Sequence, residues 1–576
     1  MPREEVVPVD SGAEAFVELL NAHDVDCIFL NSGTDTFPVQ EAVSKFSAQG
    51  RRTPRIIVCP DELVAISAAH GHYLVSGRPQ VVLVHVDAGT MQLGGGLHNA
   101  QRGRIGVILC AGRAPLTLEG ELPGSRDLWI HWIQEQIDQA ASVRGFCKWD
   151  YELRRNESIH HVIDRAFQVA SSQPSGPVYL TLPREVLMED VEGVRVSFSK
   201  GNDAPVTPVA DPAALRLIAQ HLAKAERPLI ITGHSGKSPP AVSGLTDVAE
   251  LVGAPVVSSS SRMNLPTNHP LWAGISARPY LSDADVILIV DCDVPYIPVE
   301  AKPDPEAKIH WIDIDPVKES IPLFSFPADS RILADSGKAL PALASLLKEV
   351  ITGEDRDRIE KRSQAVSLQH QGKRENRQKS AAALSGEKPI ATDWLTHCIN
   401  QAIGPDTLVL EETVTNAPSV ANALERTLPG SIFTSGGSSL GWGLGAGLGS
   451  KLAAPHRDVV VLVGDGAFIY GCPTATLWAA QAHGAPFLTV VFNNQMHHAT
   501  KRAWLGGYPQ GYGQSAGEFV GVNLTPSPDY AMLAQACQAY GELVEEPAEL
   551  PGALQRALSA VRSGQAAVLD VRIQRP

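Results

Sequence analysis

VVVLVGDGAFIYGCPTATLWAAQAHGAPFLTVVFNNQM, residues 459–496, holds two apolar runs, one ending in Gly464-Asp465-Gly466 and the other in Asn493-Asn494, with a helical stretch between them. Near-continuous apolar runs alternating with helices are the pattern of parallel strands covered on both faces. Both polar clusters therefore stand at carboxyl ends of parallel strands, the edge at which open α/β sheets take their ligands. An octahedral Mg²⁺ wants hard oxygens together with phosphate oxygens. The Asp465 carboxylate, the Asn494 amide oxygen and the Met496 carbonyl would supply half of such a shell, and a diphosphate most of the rest. Gly464 and Gly466 let the backbone approach phosphates, and the helix that follows, from about Ala467, offers free N–H groups and a favourable dipole. A bare GDG equally marks a strand-to-helix turn that needs glycine; the asparagine pair at the next strand end favours metal and diphosphate.

The same alternation fills most of the 576 residues. A first block carries CIFL (27–30), VVLVHV (81–86), IGVILCAG (105–112) and PVYLTLP (177–183). After a polar stretch from Lys200 to Pro212, a second carries PLIITG (228–233), APVVSSS (254–260), VILIVDCDV (286–294) and IHWIDID (309–315). A third holds TLVLEET (407–413), SIFTSGG (431–437), the quoted stretch and AVLDVRI (567–573). The expectation is an α/β protein of three doubly wound parallel-sheet domains, at 1–190, 205–350 and 390–576, with a charged, helical linker at 351–389 that has no core of its own. A formal net charge of -15 argues against a sequence-independent grip on nucleic acid or anionic lipid. The N-terminal residues lack an apolar signal core and no segment approaches the roughly 20 apolar residues of a membrane span, which points to a cytoplasmic protein. The eight cysteines form no CxxC pair and read as reduced, buried thiols.

GDG followed about one helix later by NN resembles the signature of thiamine-diphosphate-dependent enzymes of the pyruvate-oxidase type, the superfamily of benzoylformate decarboxylases and acetolactate synthases. SGGSSLGWGLGAGLGS (435–450), by itself a tightly packed helix start or a phosphate cradle, matches the segment that supplies an apolar wedge beneath the cofactor, at Leu440. Glu411-Glu412-Thr413 is similar to the strand end whose Thr hydroxyl touches the diphosphate. In the first block, IIVCPDELVAISAAHGHYLVSGRPQVVLVHVDAGT (56–90) resembles the frame of the acid that activates the aminopyrimidine, at Glu62. A lone Glu there would be only a favourable charge at a helix start. The His that often precedes this acid is Asp61.

The resemblance also implies a substrate-facing imidazole at His85, where a satisfied core histidine is the alternative, and a hydroxyl at Thr34 in NSGTDTFP (31–38), with Asp35 beside it read as a helix cap. It implies a cofactor-facing Gln134, and Trp129, His131 and Trp132 at the entrance. His497 and His498 follow the metal loop either as pocket residues or as a solvent-facing pair. The first domain would then bind the pyrimidine and the third the diphosphate and Mg²⁺. Glu62 and Asp465 would meet across subunits of a homodimer or homotetramer. The expected chemistry is cleavage or formation of the carbon-carbon bond next to a carbonyl, foremost by a 2-oxo acid decarboxylase with carboligase activity acting on small 2-oxo acids or aldehydes. An acetolactate-synthase-like enzyme or a 2-hydroxyacyl lyase is the alternative, and a non-catalytic cofactor-binding subunit the rival from another class. The middle block lacks the run expected of a flavin site, so no FAD is expected; Asp313 and Asp315 read as turn or cap residues rather than metal ligands.

Overall fold

The structure, a computed structural model, describes residues 4–197, 204–259 and 262–575; the beginning of the polar stretch at Lys200 lies outside them. The apolar runs named above form strands of three six-stranded parallel sheets. The first is ordered Arg55–Val58, Cys27–Leu30, Gln80–Val84, Val107–Arg113, Pro177–Pro183, Trp149–Glu152. The third is ordered Ile432–Phe433, Leu408–Glu412, Val459–Gly464, Leu488–Asn493, Ala567–Arg572, Tyr540–Val544. Counted along the chain, both run 2-1-3-4-6-5, whereas the middle sheet, which begins in sequence at Pro228–Thr232, runs 3-2-1-4-5-6. Helices on both faces make each a doubly wound α/β unit.

Where strand order reverses, neighbouring loops part and leave a crevice. In the first sheet it opens between the loops after Leu30 and Val84, and in the third between those after Glu412 and Gly464. In the middle sheet charged side chains meet at this reversal, beside a cavity of about 690 Å³. His234 meets Asp293 at 3.0 Å, and Arg104 reaches in from the first domain to Asp293 (2.8 Å) and Asp313 (3.3 Å). Lys318 completes the group, 2.5 Å from Asp313 and 2.9 Å from Asp293. Asp313 accepts the Asp315 N–H at 2.9 Å across the turn and is at the same time the fully buried centre of an ion-pair network. Burial acts to raise its pKa, yet Arg104 and Lys318 hold it below the ordinary carboxylate value. Asp315 does sit in a turn, accepting the Lys318 N–H at 2.8 Å.

The glycine-rich stretch leads into helix Trp442–Ala453, wedged between helix Glu62–Ser76 and the third sheet. Gly445 and Gly449, four apart and so on one face, meet the first-domain helix; Gly443 and Gly447 face Glu412 and Val461. A Cβ on Gly449 would overlap the Ala68 carbonyl oxygen, and one on Gly71 that of Ala446. Backbones this close let one apolar core run from Phe29 and Val82 through Trp442 and Leu444 to Val461 and Phe487. Gly449→Val should push the helices apart and cost at least the roughly 1–3 kcal/mol typical of overpacking. A calorimetric melting midpoint equal to that of the wild type would contradict this crossing.

The linker is one 31-residue helix, Gly353–Ala383, started by a capping box between Thr352 and Asp355. Its exposed body is tied at both ends: Arg358 and Arg362 donate to the Ala223 and Ala225 carbonyls of the middle domain, and Arg374 to Glu425 of the third. No helix among the described residues is long and apolar enough to cross a membrane.

Candidate active site

Two clusters of side chains line the open crevices of the outer sheets. In the third domain, Asp465 opens the short helix Asp465–Tyr470, with Gly464 at its N-cap position and Ala467 buried in its first turn. Asp465 is 3% exposed; its Oδ1 accepts the Gly466 N–H at 3.0 Å, whereas its buried Oδ2 has no hydrogen-bond partner among the described residues. Burial raises its pKa. A buried carboxylate oxygen left unpaired is costly unless something cationic meets it.

Beside it, Asn494 accepts the Met496 N–H at 3.0 Å across a turn in which Gln495 takes the left-handed φ of 59°. Asn493 anchors this loop from below by donating to Asp570 at 2.8 Å. Asp465, Asn494 and the Met496 carbonyl thus offer hard oxygens of mixed kind. Among the described residues no three His, Cys, Asp or Glu side chains gather to hold a metal in any other way. The donor set and the orphaned oxygen fit a Mg²⁺ that also takes phosphate oxygens.

His497 is half-buried with its ring over Gly466, where a Cβ would come within 2.8 Å of Cε1; His498 is buried at the next helix start, so the two are not a solvent-facing pair. Leu440 rests on the shared core. Its loop is clamped from the first domain by Asn99, which donates to the Ser439 carbonyl (2.9 Å) and accepts the Ser439 N–H (3.0 Å). Thr413 is buried and already donates its hydroxyl proton to Glu411 at 2.6 Å, so a phosphate would have to compete for it. Glu412 receives the N–H groups of Trp442 and Gly443, and burial lifts its pKa to about 7.

In the first domain, Glu62 is the first residue of its helix, and Asp61 is the cap, accepting the N–H groups of Leu63 (2.8 Å) and Val64 (3.3 Å). The acid in place of the frequent His therefore has a structural task. Glu62 is half-buried, bonded to the Asn31 side chain and near His85; burial raises its pKa above the ordinary carboxylate value. His85 hydrogen-bonds through Nδ1 to Asp35 and also meets the Gln134 side chain, so Gln134 belongs to the histidine's surroundings. Asp35 is not a helix cap: Thr36 holds that position for helix Phe37–Ala48, and Asp35 is buried against His85 and the Val86 N–H. Thr34 lies exposed in the same loop, its carbonyl held by Arg184 at 3.3 Å. His131 is buried and accepts two backbone N–H groups, while Trp129 and Trp132 are exposed. Asn31, Asp35 and Asn99 were missed in the sequence; only the loop position after a strand, at a reversal of strand order, marks the first two.

Three parallel-sheet domains with polar clusters at the two outer crevices define a cofactor-dependent α/β enzyme. Models described as "Thiamine pyrophosphate enzyme, N-terminal TPP binding domain", "central domain" and "C-terminal TPP binding domain" match residues 10–142, 215–343 and 414–571. The chain belongs to this thiamine-diphosphate-dependent enzyme family. It is 24% identical to the benzoylformate decarboxylase of Pseudomonas aeruginosa over 95% of this chain and 96% of that one. It is 25% identical to a probable acetolactate synthase large subunit of Methanocaldococcus jannaschii, over 98% and 92% respectively. The crystal structure of benzoylformate decarboxylase from Polynucleobacter necessarius superposes with a TM-score of 0.78 at 21% identity, covering 98% of this chain and 99% of that one.

Proposed function

We propose that the protein is a thiamine-diphosphate- and Mg²⁺-dependent 2-oxo acid decarboxylase with carboligase activity. The observation that carries this reading is the presence in one chain of a half-buried carboxyl with a raised pKa, Glu62, and an unpartnered buried carboxylate oxygen on Asp465. Bound thiamine diphosphate supplies a nucleophilic carbon that adds to a carbonyl and a sink for the electrons of the bond that breaks. Asp465, Asn494 and the Met496 carbonyl hold the metal, and the backbone from Gly464 through Gly466 to Ala467 receives the diphosphate, with Thr413 at its edge. Leu440, packed on the shared core, would support the bound cofactor. Glu62 would face the aminopyrimidine and hold a proton there, while His85, Thr34 and His497 would hold and move protons at the substrate carboxylate and oxygen, with Gln134 supporting His85.

The test is CO₂ release and product mass with cofactor, Mg²⁺ and a panel of aliphatic and aromatic 2-oxo acids, with and without an acceptor aldehyde. Release from any member is expected. Silence with the cofactor demonstrably bound would transfer the assignment to the alternative, an acetolactate-synthase-like enzyme or 2-hydroxyacyl lyase. No flavin absorption band is expected, because the middle block lacks the run expected of a flavin site.

We further propose a homodimer or homotetramer with each site built from two subunits, Glu62 coming from one and Asp465 from the other. Mixing inactive Glu62→Gln and Asp465→Ala subunits should then restore about a quarter of wild-type activity, since half the dimers would carry one intact site of two. No recovery after demonstrated subunit exchange would exclude shared sites.

A further inference from the structure

We propose that Asp35 is a positioning residue that orients His85 and keeps its Nε2 edge toward the substrate as a proton donor. The inference rests on the place given to His85 above. The two residues lie 50 apart in sequence and face each other across the strand-order reversal of the first sheet. Asp35 grips two points: Oδ1 takes the His85 ring at Nδ1, and Oδ2 takes the Val86 N–H at 3.1 Å. Val86 has a φ of 31°, a left-handed value that a β-branched residue adopts only under constraint, and the second bond is one such constraint.

The pair is tightly enclosed. A Cβ on Gly112 would overlap Asp35 Oδ2, and one on Gly33 would overlap the His85 ring. Only the histidine reaches the crevice, with its side chain 27% exposed against 3% for Asp35. An imidazole whose Nδ1–H is held by a carboxylate has one ring orientation and one neutral tautomer, and its other nitrogen, beside the Gln134 side chain, is the edge that faces the crevice. The titratable groups around it are Asp35, Asp87, Glu62 and His131. The hydrogen bond to Asp35 is the largest cause of a raised His85 pKa, ahead of burial, which acts the other way.

The test uses Asp35→Asn, which preserves shape and removes the charge, on the enzyme loaded with thiamine diphosphate and Mg²⁺. Diethyl pyrocarbonate attacks neutral imidazole, so its rate at His85, followed by peptide mass spectrometry against pH, reads that residue's titration without turnover. The half-reactive pH should fall by roughly one to three units in the variant. The alkaline limb of kcat against pH should move down with it, because a donor held protonated by Asp35 loses its proton earlier once the charge is gone. Asp35→Glu, which restores the charge, should recover the limb in part. An unchanged His85 titration in Asp35→Asn overturns the proposal, as does a shifted titration with an unmoved alkaline limb. Full turnover by His85→Gln at every pH would overturn it at its premise and locate the failure in the reading of His85.

Discussion

Glu62→Gln should bind thiamine diphosphate and Mg²⁺ within a few-fold of the wild type yet lower kcat by roughly 10²- to 10⁴-fold, the contribution of one positioned proton-transfer group. The two expectations have separate causes. Glutamine has the size of glutamate and can still hydrogen-bond the Asn31 side chain, so the half-buried pocket keeps its shape. What disappears is a proton that can be shared, and with it the use of a carboxyl whose pKa burial has raised toward neutrality. The helix itself should persist, because its cap is Asp61 rather than Glu62. Isothermal titration for binding and single-turnover CO₂ release for chemistry separate the effects; unimpaired turnover would remove Glu62 from the mechanism.

Asp465→Ala should abolish Mg²⁺-dependent cofactor binding in practice. Losing a partner behind a metal ligand typically weakens a site 10- to 100-fold, and losing the ligand itself should weaken it by about a hundredfold or more. The unliganded protein should respond in the opposite sense. Asp465 buries an oxygen with no partner, so removing it relieves a desolvation cost, and the melting midpoint without cofactor should hold or rise. The wild type gains about 2.7 kcal/mol from ligand at a hundred times Kd, and a variant weakened a hundredfold or more should gain no more than about 0.4 kcal/mol at the same concentration. A variant whose midpoint climbs as far as that of the wild type at the same cofactor and Mg²⁺ concentration would show that the metal is held elsewhere.

How much of this was legible follows from how local each signal is. Val459 to Val463 and Val490 to Phe492 announce buried parallel strands because every residue is apolar, and the ends of those strands then locate Asp465 and Asn494. Asp61 was nearly legible: an acid immediately before Glu62 and the apolar Leu63 and Val64 is a helix-start pattern, obscured by comparison with a histidine. Asp35 was not, because a cap and a long-range partner of histidine are the same residue type in the same loop. Only the 50-residue closure of the first sheet distinguishes them. The ion pairing of Asp313 was not legible for the same reason, its partner Arg104 being more than 200 residues away in another domain. The engagement of Thr413 by Glu411 is local, but nothing in the residue types says which way a hydroxyl will turn.

The linker helix Gly353–Ala383 is a strut, and struts have a register. At 1.5 Å and about 100° per residue, a single inserted residue would lengthen it slightly but swing everything beyond it by more than a quarter turn. Arg374 would then point away from Glu425 while Arg358 still held the middle domain. Length changes in this segment should therefore be tolerated in steps near whole turns and rejected between them, although most of its side chains face solvent and its composition is free to drift.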